Sequence, residues 1–198
     1  MVDQAARLTV AIALALFGAG AFAETFDVRG SCRDGYAHGV YELRGSAAAL
    51  RAQGAFNRGL RTSSFIYWTS GGVRVAHIPY DEGIVSGTVA LWYAQSRGTR
   101  PPQQRLEAAY AKGQRHGITR SWYPNARPRG EFMYEQGTLV AAKAWDALGK
   151  ALPESDAREQ ARRDAIEDQR TFASLDAIVD ANLPACDDSR ANPSGTRS

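Results

Sequence analysis

The chain has 198 residues, 44% hydrophobic and 23% charged, with a net charge of +3 at neutral pH. That balance excludes global disorder, and so small a cationic excess gives no grounds for a nucleic-acid partner. The length suits one ordinary domain with a short appendage.

At the N-terminus stand Arg7, an unbroken apolar run from Leu8 to Phe17, and Ala21-Phe22-Ala23 ahead of Glu24. This is the anatomy of a secretory signal peptide spanning residues 1–23, and it predicts a periplasmic or secreted protein after cleavage near Ala23. The run is short for a spanning helix, which disfavours an uncleaved anchor. No later stretch is long enough to cross a bilayer, so no transmembrane span is expected after cleavage. Removing residues 1–23 takes away one charge of each sign and leaves the net at +3. The only cysteines are Cys32 and Cys186. In an oxidising compartment they allow one connectivity, so a disulfide is expected rather than two separate buried thiols.

The next feature along the chain is a repeat. Gly35, Gly59 and Gly83 stand 24 residues apart; Gly113 follows after 30 and Gly137 after another 24. The stretch Gln95-Ser-Arg-Gly-Thr-Arg-Pro-Pro-Gln-Gln104 absorbs the surplus of the long interval. Three residues before successive glycines stand Phe56, Tyr80, Tyr110 and Tyr134. Five before stand Gly54, Ile78, Ala108 and Phe132, and seven before stand Ala52, Ala76, Leu106 and Gly130. Between the last two columns lie the more polar Gln53, His77, Glu107 and Glu131. This period-two alternation is that of a half-buried antiparallel strand.

A second glycine follows four after the first (Gly39, Gly87, Gly117), with Ser63 in its place in the second unit. Nine after the anchor come Trp68, Trp92 and Trp122, the latter two followed by Tyr93 and Tyr123. Arg44 stands there in the first unit, and Trp145 comes one position early in the last. Thr69-Ser-Gly-Gly72 and Tyr123-Pro-Asn-Ala126 are turn sequences between strand-like runs. Each unit is therefore a hairpin, and stacking hairpins is what creates a core. The expected fold is mainly β: an elongated antiparallel meander of tandem hairpins of about 24 residues with a C-terminal helical segment.

The fourth unit, Gly113-Gln-Arg-His-Gly117-Ile-Thr-Arg-Ser-Trp122-Tyr123-Pro-Asn125 and then Gly130-Glu-Phe-Met-Tyr134-Glu-Gln-Gly137, resembles the MORN repeat in the bacterial variant of antitoxin-annotated repeat proteins. Ala126 replaces the turn glycine of that motif, and the resemblance covers about residues 35–150. It implies an elongated sheet used as a scaffold, a membrane contact or a partner-binding surface, without a shared catalytic set.

The repeat domain is expected over 24–152. After Pro153 the composition shifts, and a helical cap is expected over 153–186. Asp156 with Glu159 reads as a capping-box start, and Glu154–Arg158 and Glu159–Arg163 are acid-then-base pairs of a solvated face. Phe172, Leu175, Val179 and Leu183 form an apolar stripe ended by Pro184. One or two helices are expected to pack on the sheet, with a partner-binding helix as the alternative. Residues 187–198 have the composition of a disordered tail.

No nucleophile elbow, zinc motif or phosphate-binding loop occurs in the chain, so neither enzymatic activity nor a metal or cofactor is expected. His38 and His116 fall at the same turn of different units and read as turn residues rather than ligands. Binding candidates are the aromatic columns, Trp68, Trp92, Tyr93, Trp122 and Tyr123, read either as core or as an exposed ladder. The 95–104 loop adds the cations Arg97 and Arg100, with Arg105 beyond. The function these features favour is an exported non-catalytic module that binds an envelope or secreted protein. An antitoxin-like or immunity role, and a glycan or anionic-lipid surface, are the alternatives; the residues do not decide oligomeric state.

Overall fold

The structure, a computed structural model, describes residues 25–95 and 101–186. The expected signal peptide at 1–23 and the tail at 187–198 lie outside the described residues. In chain order the strands are β1 (Asp27–Arg33), β2 (Tyr36–Arg44), β3 (Leu50–Asn57), β4 (Leu60–Trp68), β5 (Arg74–Asp81), β6 (Ile84–Val85), β7 (Gly87–Trp92), β8 (Gln104–Ala111), β9 (Gln114–Trp122), β10 (Pro128–Glu135) and β11 (Thr138–Ala144). One helix, α1 (Glu154–Asp180), follows. The strands make a single open antiparallel sheet in sequence order, with the short β6 paired to β5 beside β7.

The repeat glycines make this meander possible. Each anchor takes positive φ, from 76° at Gly35 to 82° at Gly83, and the residue before it does too: Asp34, Arg58, Glu82, Lys112 and Gln136. Two successive positive φ values match the type I′ turn, whose twist suits a tight hairpin. The second glycine column is also left-handed, and Ser63 adopts φ 61° where the other units have glycine. The turn sequences Thr69–Gly72 and Tyr123–Ala126 form the opposite ends of their hairpins, closed by Gly72 N–H to Thr69 O and Ala126 N–H to Tyr123 O, both at 2.9 Å.

Alternation then builds the core on one face. Tyr41, Leu43, Ala52, Phe56, Phe65, Tyr67, Ala76, Ile78, Tyr80, Val89, Leu91, Leu106 and Ala108 are buried together, with Phe172 and Val179 of α1 packed among them. A second cluster joins Phe132, Tyr134 and Ala144 to Ala157 and Ala161. Side chains of α1 therefore meet β10 and β11 near its start and β4 and β5 near its end, so the helix lies across the strands. A helix of 27 residues is about 40 Å long, and ten strands in sequence at about 4.8 Å spacing cover a similar distance. Beyond the helix, Cys186 is joined to Cys32 of β1. The carbonyl edge of β11 is blunted at two points, by Leu152 N–H on Ala144 O and by the Arg158 guanidinium on Val140 O, as an outer strand requires.

The helix begins at Glu154, with Pro153 at the cap and no side-chain capping bond, rather than at a capping box on Asp156. Pro153 supplies the fixed φ of a helix start, and Asp156 falls inside the first turn, where its charge still complements the helix dipole. Arg158–Glu154 and Arg163–Glu159 form the expected surface pairs. The disulfide is a bond of oxidising, extracytoplasmic environments. Among the described residues no helix is long and apolar enough to cross a membrane.

Candidate functional site

Two features of the helix-covered face stand apart from ordinary core. The first is a charged seam. Arg61 follows its anchor glycine by two, as Arg115 follows Gly113, and each guanidinium lies against the aromatic column of its own and the next hairpin. Arg61 stands 6.0 Å from the Phe56 ring and 5.6 Å from Tyr80; Arg115 stands 5.9 Å from Tyr110 and 5.2 Å from Tyr134. The helix supplies the matching carboxylates. Asp176 accepts from the hydroxyls of Tyr67 at 3.0 Å and Tyr80 at 2.8 Å, and Asp180 accepts from Arg61 at 2.8 Å. Asp168, with only 2% of its side chain exposed, bridges Arg115 at 2.6 Å and Arg105 at 3.0 Å, while Arg129 donates to Asp164 at 2.7 Å.

Burial shapes the titration of this seam. It raises the hydroxyl pKa of Tyr67 and Tyr80, and the adjacent Asp176 carboxylate raises them further. It also pushes the Asp164 carboxyl up to about 6, against the opposing pull of Arg129, and raises that of Asp168 despite Arg115 and Arg105. In the fourth unit the core itself turns polar: Thr119 and Ser121 occupy the positions that Tyr41 and Leu43, Phe65 and Tyr67, and Val89 and Leu91 fill elsewhere.

The second feature is a cleft of about 310 Å³ between α1 and the strand ends, lined by Arg51, Tyr67, Trp68, Val75, Leu91, Trp92, Ala94 and Arg105 on the sheet side and by Thr171, Leu175 and Ile178 of the helix. The register shifts here fall on the partner strands: Tyr67 pairs with Ala76 and Trp68 with Arg74, leaving Val75 as the extra residue, and Leu91 pairs with Leu106 and Trp92 with Gln104, leaving Arg105. Val75 and Arg105 thereby join the helix-covered face beside Ala76 and Leu106. Both indoles are half-buried, and the exposed Arg74 stacks its guanidinium 4.1 Å from the Trp92 ring centre. Beside this place Tyr93 N–H donates to Gln103 O at 2.9 Å.

The aromatic columns are thus neither fully core nor a free ladder. Trp68 and Trp92 wall the cleft. Tyr93 and Tyr123 tie units together instead, donating to the carbonyls of Trp122 and Trp145 at 2.8 and 2.9 Å. Trp122 is half-buried. Arg97 and Arg100 lie outside the described residues, whereas Arg105 is committed to Glu167 and Asp168. Of the polar column, His77 bonds Ser64 at 2.9 Å and Glu131 pairs with Arg120.

Sequence reasoning missed the carboxylates of the seam. A signal was present: Asp164, Asp168, Asp176 and Asp180 recur at multiples of four with Phe172 midway, which puts all five on one helix face. No family model matches the chain, and neither the curated proteins nor the solved structures yield a match.

Proposed function

We propose that this chain is an exported, non-catalytic module that binds a protein partner of the cell envelope, in the periplasm or outside the cell after cleavage near Ala23. The observation that carries the reading is the cleft. Between Trp68 and Trp92 α1 leaves an open recess walled by large apolar side chains. Recesses of this size and lining are where proteins take up ligands or the side chains of partners, and tryptophans in such pockets are common anchors of protein interfaces. The resemblance of the repeats to MORN units, whose sheets act as scaffolds, agrees with a binding role, and the Cys32–Cys186 disulfide agrees with export.

A photocrosslinking side chain carried in place of the exposed Ala94, at the edge of the cleft, tests this in intact cells. Mass spectrometry is expected to recover a specific envelope protein, and the adduct is expected to vanish when Trp92→Ala is added. Recovery of no specific partner, or of the same proteins from a crosslinker placed on the solvent face of α1, overturns the reading.

A further inference from the structure

We infer that the sheet and α1 hold one buried water molecule between them in the fourth unit, bound by Thr119, Ser121 and Asp164. The place is a small cavity of about 10 Å³. Its polar lining is Thr119 and Ser121 of β9, Asp164 and Asp168 of α1, and Arg105 and Arg129 of the flanking strands β8 and β10. Three oxygens of that lining, Thr119 Oγ1, Ser121 Oγ and Asp164 Oδ2, are buried without a hydrogen-bond partner among the described residues. Thr119 is 1% exposed, Ser121 4% and Asp164 5%, so bulk solvent does not satisfy them. The other carboxylate oxygens here are taken: Asp164 Oδ1 accepts from Arg129, and Asp168 accepts from Arg105 with one oxygen and from Arg115 with the other. An unpaired buried polar atom is costly, and native proteins seldom leave one. Three around one cavity point to a shared ligand.

Size, charge and hydrogen-bonding roles identify that ligand. A cavity of this volume takes one water and nothing larger. The charged groups of the lining are two guanidiniums and two carboxylates, so a cation meets Arg105 and Arg129 and an anion meets Asp164 and Asp168. A neutral ligand meets no such opposition. An ionised carboxylate only accepts, whereas a hydroxyl donates or accepts. Water can therefore donate to Asp164 Oδ2 and to one hydroxyl while accepting from the other, the three bonds typical of a buried water. The repeat frame supplies the reason that the place exists. Thr119 and Ser121 stand six and eight residues after Gly113, where the third unit has Val89 and Leu91 after Gly83. That apolar pair is buried and asks for no partner.

The test is a high-resolution crystal structure of the oxidised protein, grown well above pH 6, where the Asp164 carboxyl is ionised. One ordered density is expected in the cavity, at about 2.7–3.0 Å from Asp164 Oδ2, Thr119 Oγ1 and Ser121 Oγ. A cavity without density overturns the inference, as does a direct bond from either hydroxyl to Asp164 Oδ2. So does a density that strengthens when sodium is exchanged for rubidium in the crystal, which assigns the place to a cation. In solution, oxygen-17 relaxation dispersion counts long-lived waters. Thr119→Val combined with Ser121→Leu installs the side chains of the third unit and fills the cavity, so the dispersion amplitude is expected to fall by about one water per chain. An unchanged amplitude in the folded double variant overturns the inference; if that variant does not fold, the wild-type density decides alone.

Discussion

Ser63 shows how strictly the repeat dictates backbone geometry. It holds φ 61° at the position where Gly39, Gly87 and Gly117 stand in other units, a conformation that is strained for a residue with a Cβ. Ser63→Gly is therefore expected to stabilise the protein by about 0.5–1 kcal/mol, the relief of strain being partly offset by the freer unfolded chain. The urea midpoint should rise at unchanged slope. Gly54 is the opposite case: its backbone is ordinary, but the Phe65 ring lies where a Cβ would go. Gly54→Ala should cost about 1–3 kcal/mol through overpacking of the β3–β4 pair.

Asp164 gives a pH dependence of unusual sign. Its folded pKa, about 6, lies above the unfolded value near 3.8, so the folded state binds the proton more tightly. The stability this contributes is fully present below the unfolded pKa and is lost as pH rises through about 6. Chemical unfolding at pH 4.5 and 7.5 should show wild type losing up to about 2 kcal/mol relative to Asp164→Asn on going to the higher pH. An equal pH response of the two proteins excludes this account.

At the level of single elements, α1 is the unexpected component. Amphipathic helices usually dock through an apolar stripe, and Phe172, Leu175 and Val179 do form one. The stripe is interrupted by buried or half-buried carboxylates that meet cations of the sheet, so the docking of α1 depends on matching charge as well as on apolar area. Removing one partner of such a buried pair leaves an uncompensated charge, whereas replacing both by apolar groups is often tolerated. Asp168→Ala should therefore destabilise by about 3–5 kcal/mol, with Arg115 left buried. Asp168→Leu combined with Arg115→Met should recover much of that loss. A double variant as unstable as the single one would show that the pair is held by more than its own charge balance.

For the molecule as a whole, a meander of neighbour contacts has little to unite its ends. Two elements do so: α1 lies across the strands, and the Cys32–Cys186 disulfide closes a loop with a sequence separation of 154. In the chain-entropy account a loop of that length stabilises by at most about 5 kcal/mol. Reduction is expected to lower the unfolding temperature and to expose the Phe172–Asp180 end of α1 to hydrogen exchange before the Ala157–Ala161 end, which is anchored on Phe132 and Tyr134. Because Leu175 and Ile178 wall the cleft, reduction should also weaken crosslinking of the partner through position 94. Uniform loss of protection along α1 would refute this order.

Most of the architecture was legible in the residues because its causes are local. Glycines at fixed intervals set the turns, and alternation sets one buried face. Hairpins joined by short turns place consecutive strands side by side, and a lone pair of cysteines allows one bond. What the tertiary structure decided involves residues far apart in the chain. Alternation marks two faces, but the register shifts opposite Trp68 and Trp92 are needed to turn Val75 and Arg105 toward the cleft beside Ala76 and Leu106. Four aspartates on a helix read equally well as a solvated face, as Glu154 and Glu159 indeed are. Only the approach of Arg61, Arg105, Arg115 and Arg129, between 35 and 119 residues away in sequence, determines which carboxylates leave water, since desolvation is a property of the assembled surface and not of local sequence.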